Sequence, residues 1–243
     1  MNQSKYLDLF SGVSEPLRSK NKTVFKMNDA VLIQHVYPGA GFEPMLELTK
    51  AHHAAYCEQH GFDYWCEVYE MPGYPMASGA WVKVDLLRKA INAGYKYIVW
   101  LDADAFIVDL KADLREAIAE NKIGVCWHRI PQLNHWNTGV MYVYGSPTTQ
   151  NFIERWFEAY PPPNDGWFEQ GVFNHMAKRD ATVVTLSDKW NATIDVSMVP
   201  DAVVLGFHGQ DNRYKKMKAI FERKFPKQEA ATAQGMSEVH NDS

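Results

Sequence analysis

Apolar runs and amphipathic stretches alternate through the first hundred residues. AVLIQHVYP, residues 30–38, is a short apolar run that stops at Pro38-Gly39, the pattern of a buried strand. From Glu43 to His60, the residues Met45, Leu46, Leu48, Ala51, His52, Ala55 and Tyr56 fall on one stripe, and Gly61 follows, which predicts a glycine-terminated helix. FDYWCEVY (62–69) reads as a second strand, and EMPGYPMASG (70–79) as a loop. AWVKVDLLRKAIN (80–92) is amphipathic, closes at Gly94 and leads into a strand at 97. Strand–helix–strand–helix–strand over 30–101 predicts an α/β fold with a Rossmann-like, mostly parallel central sheet flanked by helices.

The second half is less regular. Leu110–Glu120 reads as helix, IGVCW (123–127) and NTGVMYVYG (137–145) as strands, and 147–160 as a helix ended by three prolines. Gly166–Lys178 reads as helix, with ATVVTL (181–186) and AVVLGFHG (202–209) as further strands. The expected division is an N-terminal arm (1–28), one domain (29–227) and a polar, disordered tail (228–243).

Composition narrows the class. Of 243 residues, 46% are hydrophobic and 22% charged, with a net charge of −4, which suits a globular protein and argues against a dedicated nucleic-acid binder. Cys57, Cys66 and Cys126 lack any C-x-x-C spacing, the N-terminus has no apolar signal region, and no run approaches the roughly 18 apolar residues of a membrane span. The expectation is a cytoplasmic protein whose two sequons (Asn21-Lys22-Thr23 and Asn191-Ala192-Thr193) are chance matches. RYKKMKAIFERKFPK (213–227) holds seven basic residues and one acidic, which suits a helix with Ile220, Phe221 and Phe225 packed inward, a segment touching an anionic membrane surface, a lipid-linked acceptor or nucleic acid, or Arg213 or Lys215 reaching a diphosphate.

The chemistry concentrates in YIVWLDADAFIVD (97–109). Asp102 and Asp104 sit between two apolar runs, where an unpartnered charge costs several kcal/mol, on the order of a desolvation penalty. In a doubly wound sheet, ligands bind beyond the carboxyl ends of strands. An Asp-x-Asp there can hold a hard divalent cation through oxygen while leaving positions for phosphate and water.

HAAYCEQHGFDY (53–64), WVKVDLLRKAINAGYKYIVWLDADAFIVD (81–109), NTGV (137–140), WFEQGVFN (167–174) and GFHG (206–209) together resemble GT-A glycosyltransferases, most of all the galactosyl/mannosyl/xylosyltransferase family. The resemblance spans about 30–210 and implies a GT-A fold and a metal-dependent, retaining sugar transfer from a nucleotide-sugar donor, UDP-linked, to a carbohydrate or other hydroxyl acceptor, with Mn2+ or Mg2+ as cofactor. It implies that Asp102, Asp104 and His208 ligate the metal, with Asp102 shared with the ribose and Ala103 between them. It implies that Lys83 approaches the diphosphate and that His35, Val36 and Tyr37 flank the nucleobase. Glu169 and Gln170 would stand beside the anomeric carbon, and Asn137 in the donor site.

Residue by residue, other readings stay open. His208 also suits a core histidine, Lys83 a solvated or snorkelling side chain, Asn137 and Thr138 the start of a strand, and Trp136 and Trp167 either core or acceptor-stacking rings. His60 fits a helix cap. A nucleotidyltransferase of related fold and a non-catalytic nucleotide-sugar or partner-binding module are the alternative functions. A haloacid-dehalogenase-type phosphatase is weaker, because Phe106 stands where that motif wants Thr or Val.

Overall fold

The computed structural model describes residues 28–68, 79–130, 133–159, 168–194, 196–209 and 211–226. The expected arm up to residue 27, most of the 70–79 loop, Trp167 and the expected tail lie outside the described residues. β1 (Ala30–Val36), α1 (Glu43–His60), β2 (Asp63–Val68), α2 (Gly79–Asn92) and β3 (Tyr97–Leu101) follow in order. β1 pairs in parallel with both β2 and β3, so the chain crosses over β1 between them. After β4 (Ala105–Ile107) come β5 (Ile123–Ile130), β6 (Leu133–Tyr144), α3 (Pro147–Glu158), α4 (Phe168–Ala177), β7 (Val183–Leu186), β8 (Ala192–Thr193), β9 (Val204–Gly206) and α5 (Arg213–Lys224). The main sheet has the order β2-β1-β3-β6-β5-β7, in which β6 alone runs against the rest. A second sheet, β4-β9-β8, lies beside it.

β1 is buried along its whole length, so it reads as a continuous apolar run rather than an alternating one. Its two faces feed two cores. Val31 and Ile33 pack with Ile98 and Trp100 of β3, Val84 and Leu87 of α2, and Phe152, Trp156 and Phe173 of α3 and α4. Leu32, Val99 and Leu101 face Tyr56 and Cys57 of α1 on the other side. A third cluster joins Phe106 of the small sheet and Phe207, just beyond β9, to Met217 of α5. Thus α5 packs its apolar side inward and leaves Lys215, Arg223 and Lys224 exposed. Among the described residues no helix is long and apolar enough to cross a membrane.

Four sequence expectations differ from the structure. In α1, Ala51 and Ala55 are exposed, while Thr49, His53 and Cys57 are buried with Met45, Leu46 and Tyr56. His53 tolerates burial because Gln34 Oε1 lies 2.7 Å from its Nδ1 and the Ile107 N–H donates to its Nε2 at 3.2 Å. His60 does not cap the helix: Gly61 ends α1 in the left-handed region (φ 67°), and the His60 ring meets Leu110 O at 2.8 Å. The expected helix over 110–120 is only a 3-10 turn at Leu114–Ala117. There Tyr56 hydroxyl donates to Ala112 O and accepts from Leu114 N–H, so bonds to α1 replace helical ones. The expected strand 202–209 shrinks to Val204–Gly206, because its partners β4 and β8 are themselves short.

Candidate active site

The aspartate pair lies where the chain leaves one sheet for the other. Asp102 N–H donates to Gly139 O on β6 at 2.7 Å, and Asp104 O accepts from Phe207 N–H beyond β9 at 2.9 Å. Both backbones are therefore pinned by neighbours distant in sequence. Between β5 and β6 the register slips at Val125/Cys126, so that Cys126 pairs with Asn137 and residues 138–140 turn to β3. That irregularity presents Asn137, Thr138 and Gly139 to the carboxyl end of β3.

A cavity of about 750 Å³ opens at this edge. His35, Val36 and Tyr37 line it from the end of β1, and Asp102, Ala103 and Asp104 from the end of β3. Lys83 enters from α2, Asn137 from β6, Glu169 and Gln170 from the first turn of α4, and His208 from the loop after β9. Every candidate residue thus borders one space. Trp136 lies on β6, where its indole Nε1–H donates to Thr185 Oγ1 at 2.9 Å and its ring meets Trp127 edge-on, a packing role in the hairpin.

Asp102, Asp104 and His208 can each offer one ligand atom, all within 4.8 Å of one another. Octahedral ligands about 2.1 Å from an ion lie about 3 Å apart when adjacent and about 4.2 Å when opposite, so a small closure suffices. Asp104 Oδ1 is buried with no assigned hydrogen bond, and His208 Nδ1 stands 3.1 Å away, an ion pair when the ring is protonated. An orphaned carboxylate oxygen facing an imidazole nitrogen fits a hard divalent cation of the manganese or magnesium kind. Arg213 Nη1 donates to Asp104 Oδ2 at 2.7 Å.

Charge is distributed unevenly here. Partial burial at the cavity edge pushes the Asp102 carboxyl up, the Lys83 ammonium works against that, and the nearby Asp104 charge adds to it. Burial would raise Asp104 too, but His208 and Arg213 outweigh it and hold the group below its ordinary value. Burial would lower His208, and the Asp104 carboxylate reverses that to a net rise. Asp102 therefore stands to gain most from an added cation.

Asp102 is oriented by donors on one oxygen: Trp100 Nε1 donates to Oδ1 at 2.6 Å and Lys83 Nζ pairs with it at 3.1 Å, leaving Oδ2 for a ligand. Lys83 also donates to Thr138 O at 3.0 Å and to Glu169 Oε1 at 2.8 Å. Burial lowers its proton affinity, yet Asp102 and Glu169 raise it overall. With two hydrogen bonds and an ion pair made, Lys83 acts in this arrangement on the carboxylates rather than directly on a diphosphate. Gln170 Oε1 accepts from the Thr138 N–H at 3.0 Å, which turns its amide N–H groups into the part that can meet a ligand.

Several contributors are not among the residues that stand out in the sequence. Trp100 reads as an apolar strand residue, and Asn191 as part of a chance sequon. Asn191 is wholly buried and reaches both Asn137 and His208. Its signal was a polar residue set between Trp190 and Ala192, two apolar neighbours. His128 and His135 on the β5–β6 hairpin also line the cavity. Burial, helped by His208 and His135, pushes His128 down to about 3, so it is a neutral ring.

The fold is of the GT-A type found among glycosyltransferases. Residues 28–124, less than half of the chain, match the model of the galactosyl transferase GMA12/MNN10 family, and the matched stretch carries Lys83, Asp102 and Asp104. Among solved structures, a glycosyltransferase involved in glycosylation of the major capsid of PBCV-1 is similar (TM-score 0.64, 17% identity, 78% of this chain and 99% of that one). So is the glycosyltransferase GlyE of Streptococcus pneumoniae TIGR4 (TM-score 0.53, 11% identity, 80% of this chain and 63% of that one). At these identities the likeness concerns the fold. Comparison with curated protein sequences finds no match.

Proposed function

We propose that this protein transfers a sugar, with retention, from a nucleotide-sugar donor of the UDP type to a hydroxyl of a carbohydrate acceptor, and that it needs a divalent cation. The observation that carries the reading is the convergence of Asp102, Asp104 and His208, with an orphaned buried oxygen on Asp104, inside a cavity at the sheet's carboxyl edge. Asp102, Asp104 and His208 would hold the ion, which when bound supplies Lewis-acid stabilisation of the charge on the leaving diphosphate.

The protein's own groups do the rest. Arg213, at the start of α5, lines the cavity while paired with Asp104 Oδ2 at 2.7 Å, and would turn from that carboxylate toward the diphosphate. Lys83 keeps the neighbouring carboxylates of Asp102 and Glu169 compatible with one another. Trp156 Nε1 donates to Glu169 O at 2.9 Å and Thr138 holds Gln170, so the first turn of α4 presents both side chains at a fixed angle to the sugar. In a retaining transfer the acceptor hydroxyl can lose its proton to the departing phosphate, so no side-chain base is invoked.

The test is a donor screen with UDP-, GDP- and other nucleotide sugars and Mn2+, reading slow donor hydrolysis. The expected result is turnover of a UDP-sugar that chelation and Asp104→Ala both abolish. Nucleotide binding without turnover of any donor would favour the non-catalytic module, and pyrophosphate release the nucleotidyltransferase. The exposed Lys215, Arg223 and Lys224 of α5, close to the cavity through Arg213, favour an acceptor met at an anionic surface. Vesicles rich in anionic lipid should then pull the protein down at low salt, and no sedimentation would dismiss that surface.

A further inference from the structure

His208 has two ring nitrogens, and a buried chain of amides behind the ring decides which one can face the aspartates. Asn137 Oδ1 accepts from the Gly139 N–H at 2.8 Å. A backbone N–H can only donate, so this bond fixes which end of the Asn137 amide points inward. Asn191 Nδ2 donates to the same oxygen at 3.0 Å. That turns Asn191 Oδ1 the other way, where it lies 3.2 Å from His208 Nε2. Flipping Asn191 would set two amide oxygens about as close as a hydrogen bond with no proton between them. An oxygen facing Nε2 requires a proton there, so a ring that gives up one proton to a bound cation would keep the one on Nε2 and free the lone pair of Nδ1, the nitrogen 3.1 Å from Asp104 Oδ1.

The ring is also walled in. A Cβ on Gly139 would come within 2.3 Å of His208 Cε1, and one on Gly206 within 2.4 Å of Nε2. Both positions are glycine where the backbone passes against the imidazole, and the ring lacks room to turn over. Asn191 is 0% exposed, so no water need complete its bonds.

We propose that Asn191 is a positioning residue of the metal site. Through Asn137 it transmits the fixed polarity of the Gly139 N–H to His208, holding the imidazole as the Nε2–H tautomer with Nδ1 aimed between Asp102 and Asp104. The inference rests on the metal-site reading above. Partners of this kind behind a metal-ligating histidine are typically worth about 10–100-fold in metal affinity.

The test uses nucleotide-free protein and Mn2+, with free ion followed by electron paramagnetic resonance. Asn191→Leu, close in size but without an acceptor, should bind Mn2+ about 10–100-fold more weakly than wild type while its near-ultraviolet circular dichroism is unchanged. Wild type that fails to bind Mn2+ would remove the metal site itself. Wild type that binds, with a folded Asn191→Leu that binds equally well, would overturn the role of Asn191 and leave the metal site standing. Should the variant not fold, the 15N spectrum of histidine-labelled wild type saturated with Mg2+ decides: a proton on Nε2 of His208 supports the proposal, and a proton on Nδ1 overturns it.

Discussion

Lys83→Met isolates the electrostatics beneath the site. The ammonium sits 2.8 Å from Glu169 Oε1 and 3.1 Å from Asp102 Oδ1, on a residue only 4% exposed. At an effective dielectric near 20, these contacts represent about 6 and about 5 kcal/mol of gross attraction. The second must be discounted, because the Asp102 side chain is 34% exposed and screened by water. Burying each ion costs several kcal/mol, so the intact cluster contributes roughly nothing net. Removing the lysine alone keeps the carboxylate penalties and deletes the attraction. Lys83→Met should therefore cost about 3–5 kcal/mol, or about 6–20 °C in Tm for a chain of this length. Adding Glu169→Gln withdraws the most deeply stranded charge, and the double variant should recover more than half of that loss. Urea and thermal denaturation of wild type, both single variants and the double variant complete the cycle. A Lys83→Met protein within about 1 kcal/mol of wild type, or strictly additive losses, would refute the reasoning.

Mn2+ affinity should fall as the pH is lowered. Burial alone would let His208 lose its proton easily, but Asp104 raises its pKa overall, so proton competition extends above the ordinary value of 6.5. Below that pKa the apparent affinity should drop about tenfold per pH unit, and affinity that stays flat between about pH 6 and 8 would contradict His208 as a ligand. Gly139→Ala places a Cβ 2.3 Å from His208 Cε1 and should cost about 1–3 kcal/mol on denaturation or displace the ring and weaken Mn2+ binding; a neutral variant on both counts would deny the close approach. Trp100→Phe keeps the ring but deletes the 2.6 Å hydrogen bond to Asp102, with an expected loss of about 1.5–3 kcal/mol and weaker Mn2+ binding. No change in either measurement would mean that the indole does not hold Asp102.

What the sequence disclosed follows from the reach of each interaction. β1 and β3 were legible because parallel strands with helices on both faces are apolar along their length, and the aspartate pair stood out against such a run. The stripe on α1 was read out of phase, because hydrophobicity assigns Ala51 and Ala55 inward and cannot see that His53 is satisfied by Gln34 and Ile107. Leu110–Glu120 has the composition of a helix, yet Tyr56 and His60 draw its backbone into bonds with α1, and local propensity yields to tertiary contacts. The candidate-site residues divide in the same way. Asp102 and Asp104 announce themselves two positions apart, whereas His208 gains its meaning from Gly139, Asn191 and Asp104, which reach it from β6, from the turn before β8 and from the end of β3. Each of those three is ordinary in its own stretch of chain. What makes the imidazole a candidate ligand is the direction of hydrogen bonds running from a backbone N–H through two amides, and direction of that kind exists only once strands from two sheets have been brought edge to edge.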